Sequence, residues 1–248
     1  MQVASSRHSS PSAFHVRCLA WCVHAYTASG LLLAAWMAML ILRGTDTAYR
    51  GALGLMILAT FIDSTDGWLA RRVRVKEVLP GFDGRRLDDI VDFHTYTSLP
   101  LFMVWRAGIL PENWAWALLV VLLASIYGFA QADAKTPDGY FLGFPSYWNV
   151  IALYLYLLPL PLSLKLVVLF GFAALTFIPF LYLYPSQKTP FSLLTNVLAV
   201  LWGFLLLIIL FGGPSVPAWL ATISLFFPAY YLLVSWGLTL RRWSRKAS

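Results

Sequence analysis

Residues 63–92 read DSTDGWLARRVRVKEVLPGFDGRRLDDIVD, an island of charge between two strongly apolar flanks. Asp63 and Asp66 stand three positions apart, and Asp88 and Asp92 four apart. On helices each pair therefore shares one face. The flanks decide what kind of helix this is. Of the 248 residues 60% are hydrophobic and only 12% charged, where a soluble chain is about a quarter charged. The reading is an all-α polytopic membrane protein, in which carboxylates are costly and mark function.

Working outward, eight apolar stretches approach the ~20 residues that a membrane crossing needs. They lie at about 27–43, 50–71, 87–106, 113–132, 145–161, 164–184, 191–211 and 215–239. Residues 12–26, SAFHVRCLAWCVHAY, are amphipathic and predict an interfacial helix before the first span. Residues 1–12 read as a disordered polar tail with no cleavage motif behind it, and 241–248 as a basic tail. Between the tails, 13–240 forms one membrane domain. Cys18 and Cys22, the only cysteines, read as packing residues, since two thiols make no structural zinc site.

The basic residues orient the layout. With both termini in the cytoplasm, fourteen of the eighteen Lys and Arg fall in cytoplasmic segments, and Arg43, Arg50, Arg106 and Lys165 fall opposite. The net charge of +7 is thereby a topology signal and not a nucleic-acid footprint. The second span then runs inward and ends near Arg71, while the third starts near Arg86 and runs outward. A short connector holding Pro80 and Gly81 makes them antiparallel neighbours, and the four carboxylates converge beneath the cytoplasmic surface. Four anions together require cations, and oxygen-only ligation selects Mg²⁺ or Mn²⁺. Four carboxylates suffice for two such ions, as in phosphoryl-transfer sites. Gly67 and Ala70 keep one face of the second helix clear, and Arg71 offers a charge suited to phosphate. Asp83 and Asp89 read as connector and off-face residues, and His94 is turned off the Asp88–Asp92 face.

The sequence Asp63-Ser-Thr-Asp66-Gly67-Trp-Leu-Ala70-Arg71, twelve residues, then Gly84-Arg-Arg-Leu-Asp88-Asp-Ile-Val-Asp92 resembles the signature of the CDP-alcohol phosphotransferases, with every fixed position filled. The spacer is longer than the family's usual one. With the segments HAYTASG (24–30) and KTPDGYFLGFPSYWN (135–149), it resembles the bacterial, phosphatidylcholine-forming branch. The resemblance implies transfer of a phosphatidyl group from CDP-diacylglycerol to choline, with release of CMP, in the bacterial inner membrane. It implies that Asp63, Asp66, Asp88 and Asp92 hold two Mn²⁺ or Mg²⁺ ions and that Asp92 is the general base. It further implies that Gly67, Ala70 and Arg71 border CDP, that Gly84 lets the nucleotide lie close, and that the chain forms a homodimer.

A quaternary ammonium makes no strong hydrogen bond, so aromatic faces are expected to hold it. Phe93, Tyr96, Tyr127, Tyr147 and Trp148 are the candidates. Lys135 and Lys188 are candidates to meet lipid phosphate, whereas Asp133 and Asp138 read as solvated loop residues. Two other readings stay open: the same chemistry on serine, inositol phosphate or glycerol phosphate, and a cation transporter. A transporter would spread its acids along a path near the bilayer midplane; here they cluster at one surface.

Overall fold

Thr45 and Asp46 begin the helix that leads into the acidic stretch. The Thr45 hydroxyl accepts from the Ala48 N–H at 3.2 Å and Asp46 sits in the first turn, the two features that favour a helix N-terminus. The helix runs over Asp46–Val73 (α2) and closes with Arg74 in a left-handed conformation, φ 55°. The computed structural model describes residues 11–184, 191–213 and 216–247. Lys188 and the tail of residues 1–10 lie outside them.

The described residues are mainly helical. α1 (Pro11–Arg43) and α2 form an antiparallel pair, followed by a short α3 (Val75–Val78) in the connector and α4 (Gly84–Asp92). A π-helical segment, Phe93–Ser98, joins α4 to α5 (Leu99–Arg106). α6 (Trp116–Ala130), α7 (Trp148–Leu157), α8 (Leu162–Leu175), α9 (Ser192–Phe211), α10 (Trp219–Ile223) and α11 (Phe226–Ala247) complete the bundle. Among the described residues, five helical stretches are long and apolar enough to cross a membrane: Phe14–Arg43, Asp46–Val73, Glu112–Ala130, Ser192–Phe211 and Trp219–Ser244. α7 and α8 are apolar but shorter. The protein is thus an all-α polytopic membrane protein, with two large cores, one around Trp148, Tyr182 and Leu169 and one around Met37, Leu53 and Leu206.

Four features differ from the expected layout. First, the interfacial helix is not separate: residues 12–26 belong to one uninterrupted α1 of 33 residues. At 1.5 Å per residue that is about 50 Å, longer than a hydrocarbon core of ~30 Å. The surplus is used, because Ala20 and Val23 pack against Val75 and Leu79 of the connector. Second, the third stretch passes through a π turn, where the Leu99 N–H reaches back to the His94 carbonyl. Pro100 one residue on has no N–H and crowds the carbonyl four before it, and a widened turn relieves this.

Third, the stretch 164–184 stops being helical at Leu175, ahead of Pro179, and its end forms a strand, β2 (Leu181–Leu183). β2 pairs antiparallel with β1 (Tyr140–Leu142), Phe141 facing Tyr182. A strand inside an apolar bundle needs every backbone group satisfied. α11 does this: the Leu181 and Leu183 N–H groups donate to Thr239 and Ser235 at 2.9 and 3.1 Å, and the Tyr231 hydroxyl donates to the Leu183 carbonyl at 2.8 Å. Fourth, the last stretch breaks between α10 and α11, upstream of Pro228, and α11 absorbs residues 241–247 of the expected tail.

Candidate active site

α2 and α4 bring their acids together against α1. One carboxylate oxygen from each of Asp63, Asp88 and Asp92 lies within 4.8 Å of the others, an arrangement that could hold a metal ion. Asp66 lines the same cleft together with Thr27, Gly30 and Val91. Its Oδ2 accepts a hydrogen bond of 2.7 Å from the Thr27 hydroxyl of α1, so the structure groups three of the four carboxylates most closely and holds the fourth beside them. Two unit charges that close repel by about 3 kcal/mol at an effective dielectric of about 20. Three ionised pairs would approach the whole stability of a domain. One ammonium is at hand: Lys135 Nζ lies 3.9 Å from Asp88 Oδ2. Lys135, with Arg71 near Asp66, against four carboxylates still leaves a strong demand for multivalent cations, and an all-oxygen set fits a hard divalent ion.

Lys135 lies outside the apolar spans, on the loop after α6. Burial lowers its pKa, but Tyr184, then Asp88, Asp89 and Asp92, hold the ammonium above its ordinary value. Its neighbour Asp138 is held below the usual carboxylate range by the Thr136 hydroxyl and by Arg242, whose Nη1 donates to it at 2.7 Å. The Lys135 ammonium thus lies against the acids.

The α1–α4 approach is close because of glycine. A Cβ on Gly30 would lie 2.5 Å from Val91 Cγ1, and one on Gly84 would lie 2.7 Å from Cε1 of His24. His24, its ring tilted against that of Phe82 with centroids 4.4 Å apart, fills the space above Gly84. Gly67 has a milder part, since a Cβ there would be 3.4 Å from Arg71 Nη1. The Arg71 guanidinium lies back along α2 over Gly67, with Ala70 half-buried beside it. Asp83 caps α4, accepting from the Arg86 N–H at 3.1 Å, and His94 meets Ser98 at 3.1 Å on the exposed side.

The aromatic candidates separate. The Tyr96 hydroxyl donates to Asp63 Oδ2 at 2.7 Å, and its ring is 5.8 Å from that of Tyr147. Phe93 packs edge-on against Phe129, Tyr127 lies on Phe177 at the exposed side of α6, and Trp148 is fully buried in the core. Sequence reasoning missed Thr27, Gly30 and Lys135 as neighbours of the acids. A threonine and a glycine in HAYTASG, and a lysine at the end of an apolar stretch, were the available signals.

Comparison with known proteins adds an independent line. The family model for CDP-alcohol phosphatidyltransferase matches residues 24–180. A protein named phosphatidylcholine synthase from Legionella pneumophila is 36% identical over 89% of this chain and 88% of its own length. Proteins of the same name from Borreliella burgdorferi and Pseudomonas aeruginosa are 32% and 38% identical, over 92% and 74% of this chain and 97% and 76% of theirs.

Proposed function

This chain belongs to the CDP-alcohol phosphatidyltransferase family, and we propose that it transfers the phosphatidyl group of CDP-diacylglycerol to choline, giving phosphatidylcholine and CMP. The convergence of Asp63, Asp88 and Asp92 within 4.8 Å carries the chemistry, and the names of its relatives carry the acceptor. The choline oxygen attacks the phosphorus that bears the diacylglycerol, and the bond from that phosphorus to the CMP oxygen breaks. Asp92 takes the choline proton as the new bond forms, because a carboxylate is too weak a base to remove it beforehand. Arg71, beside Gly67 and Ala70, faces the diphosphate. Asp63, Asp66, Asp88 and Asp92 would hold two Mn²⁺ or Mg²⁺ ions, which when bound would offset the charge of the diphosphate and of the departing CMP. Thr27 holds Asp66 and Tyr96 holds Asp63 by hydrogen bonds of 2.7 Å each. The setting is the cytoplasmic face of the bacterial inner membrane, with both termini inside and the chain a homodimer.

The test uses purified full-length protein, CDP-diacylglycerol, Mn²⁺ and a panel of labelled alcohols. Labelled phosphatidylcholine from choline is expected. Product from serine, or from inositol or glycerol phosphate, with none from choline would overturn the acceptor. Chelation should abolish turnover, and restoring Mn²⁺ at about a hundredfold its dissociation constant should stabilise the fold by about 2.7 kcal/mol, visible as a raised melting temperature without any assay of activity.

A further inference from the structure

Beside the acids stands a run of aromatic rings of which the chemistry above uses Tyr96 alone. From Tyr96, bonded to Asp63, it passes to Tyr147 at 5.8 Å, to Phe141 at 6.4 Å and to Tyr184 at 4.4 Å between ring centroids. Phe141 and Tyr184 already carry a cation. Lys135 Nζ lies 6.0 Å from the Phe141 centroid and 5.6 Å from that of Tyr184, while it also stands 3.9 Å from Asp88 Oδ2. One positive charge in the protein thus stands within reach of two aromatic rings and of the Asp88 carboxylate.

We propose that the faces of Phe141 and Tyr184 hold the trimethylammonium group of the choline acceptor, at the position that the Lys135 ammonium takes in the free chain. This deepens the choline reading and rests on it. Three observations carry it. The position is adjacent to Asp88, so a cation held there has a two-carbon arm's reach to the acids where its hydroxyl must react. The rings are fixed by backbone pairing and not by loop side chains alone. Lys135 and Phe141 are bridge partners, Thr136 and Leu142 N–H groups donate to Tyr140 and Ala134 carbonyls at 2.8 and 2.9 Å, and Tyr184 follows β2, which is tied to α11. Preorganised rings spend no ordering entropy on the ligand. Finally, an open cleft of ≈ 270 Å³, lined by Arg85, Lys135, Thr136, Pro137, Gly139 and Tyr184, reaches this point, giving a water-soluble alcohol a way in.

A lysine ammonium and a quaternary ammonium use a ring face in the same way, but only the lysine donates hydrogen bonds. Lys135 therefore has alternative partners once displaced, and choline does not. The rings favour cation over anion here: a phosphate attracted by Arg85 and Lys135 would gain nothing from the faces of Phe141 and Tyr184.

The experiment measures KM for choline, KM for CDP-diacylglycerol, kcat, and the inhibition constant of tetramethylammonium against choline, on the full-length protein. Phe141→Leu and Tyr184→Leu are each expected to raise KM for choline and the tetramethylammonium constant together by about tenfold, the size of a partly desolvated cation–π contact. The kcat at saturating choline and KM for CDP-diacylglycerol should stay within about twofold. Tyr184→Phe and Phe141→Tyr should restore both constants, which a merely structural role would not predict of ring faces. Lys135→Met should lower KM for choline by removing the resident competitor; a raised KM would make Lys135 a ligand and overturn the exchange. A choline-active wild type with KM and the tetramethylammonium constant unmoved in both leucine variants overturns the ring site alone. A wild type inert with choline but active on another alcohol overturns the functional reading beneath it.

Discussion

Asp92→Asn keeps the size of the side chain and one acceptor oxygen while deleting the charge and the base. Turnover should fall at least a hundredfold, within the range for lost general base catalysis, while equilibrium binding of labelled CDP in Mn²⁺ persists. Near-normal turnover would remove Asp92 from the role. Thr27→Val asks a different question, because it leaves every carboxylate in place and deletes the donor to Asp66 Oδ2. A buried acceptor left unpaired costs about 1–3 kcal/mol, so melting in detergent should drop by several degrees, and Thr27→Ser should recover most of it. The acids were legible in the sequence because a carboxylate in an apolar run has few explanations. Thr27 and Lys135 were not, since a threonine in a membrane helix and a lysine at its end are common in purely structural roles. Their meaning depends on a neighbour about forty to fifty positions away in sequence for each, which no local pattern encodes.

At the scale of elements, the α1–α4 contact sets how close the two acidic faces stand. Gly30→Ala would drive a methyl group into Val91 Cγ1 at 2.5 Å. Overpacking of this kind costs about 1–3 kcal/mol, and here the helix that yields carries Asp88 and Asp92. Activity should therefore fall further than stability, and the paired change Gly30→Ala with Val91→Ala should restore activity. If the double variant is no better than the single one, the glycine acts by some route other than this contact. The existence of α1, α2 and α4 follows from apolar composition and spacing. The unbroken α1 does not, because its N-terminal half looks interfacial until the connector supplies Val75 and Leu79 to cover it. Nor do β1 and β2, since β1 pairs with β2 and β2 is tied down by hydroxyls on α11 more than fifty residues later. Both misreadings have one cause: the deciding partner is distant in sequence.

Across the whole molecule, the charges that seemed exceptions to the orientation rule have structural employment. Arg50 Nη1 donates to the Ile209 and Leu210 carbonyls at 3.3 and 3.4 Å, Arg106 Nη2 to the Leu42 carbonyl at 3.4 Å, and Lys165 Nζ to the Ile109 carbonyl at 2.8 Å. Arg50 and Arg106 satisfy the C-terminal carbonyls of α9 and α1, where orphan acceptors and the negative end of the helix dipole gather. Three of the four basic residues assigned to the far side are thus bound to backbone carbonyls and say little about orientation, which sharpens the bias of the rest. The acids, Lys135 and the Asp138–Arg242 pair should then share the cytoplasmic side, and Glu112 the opposite side. A variant with Cys18→Ser and Cys22→Ser gives a background for single cysteines. In that background Asp138→Cys should react with a membrane-impermeant maleimide only in inside-out vesicles, and Glu112→Cys only in right-side-out cells. The reverse pattern would put the carboxylates on the face away from cytoplasmic CDP-lipid and choline, and the reaction proposed here would lose its substrates.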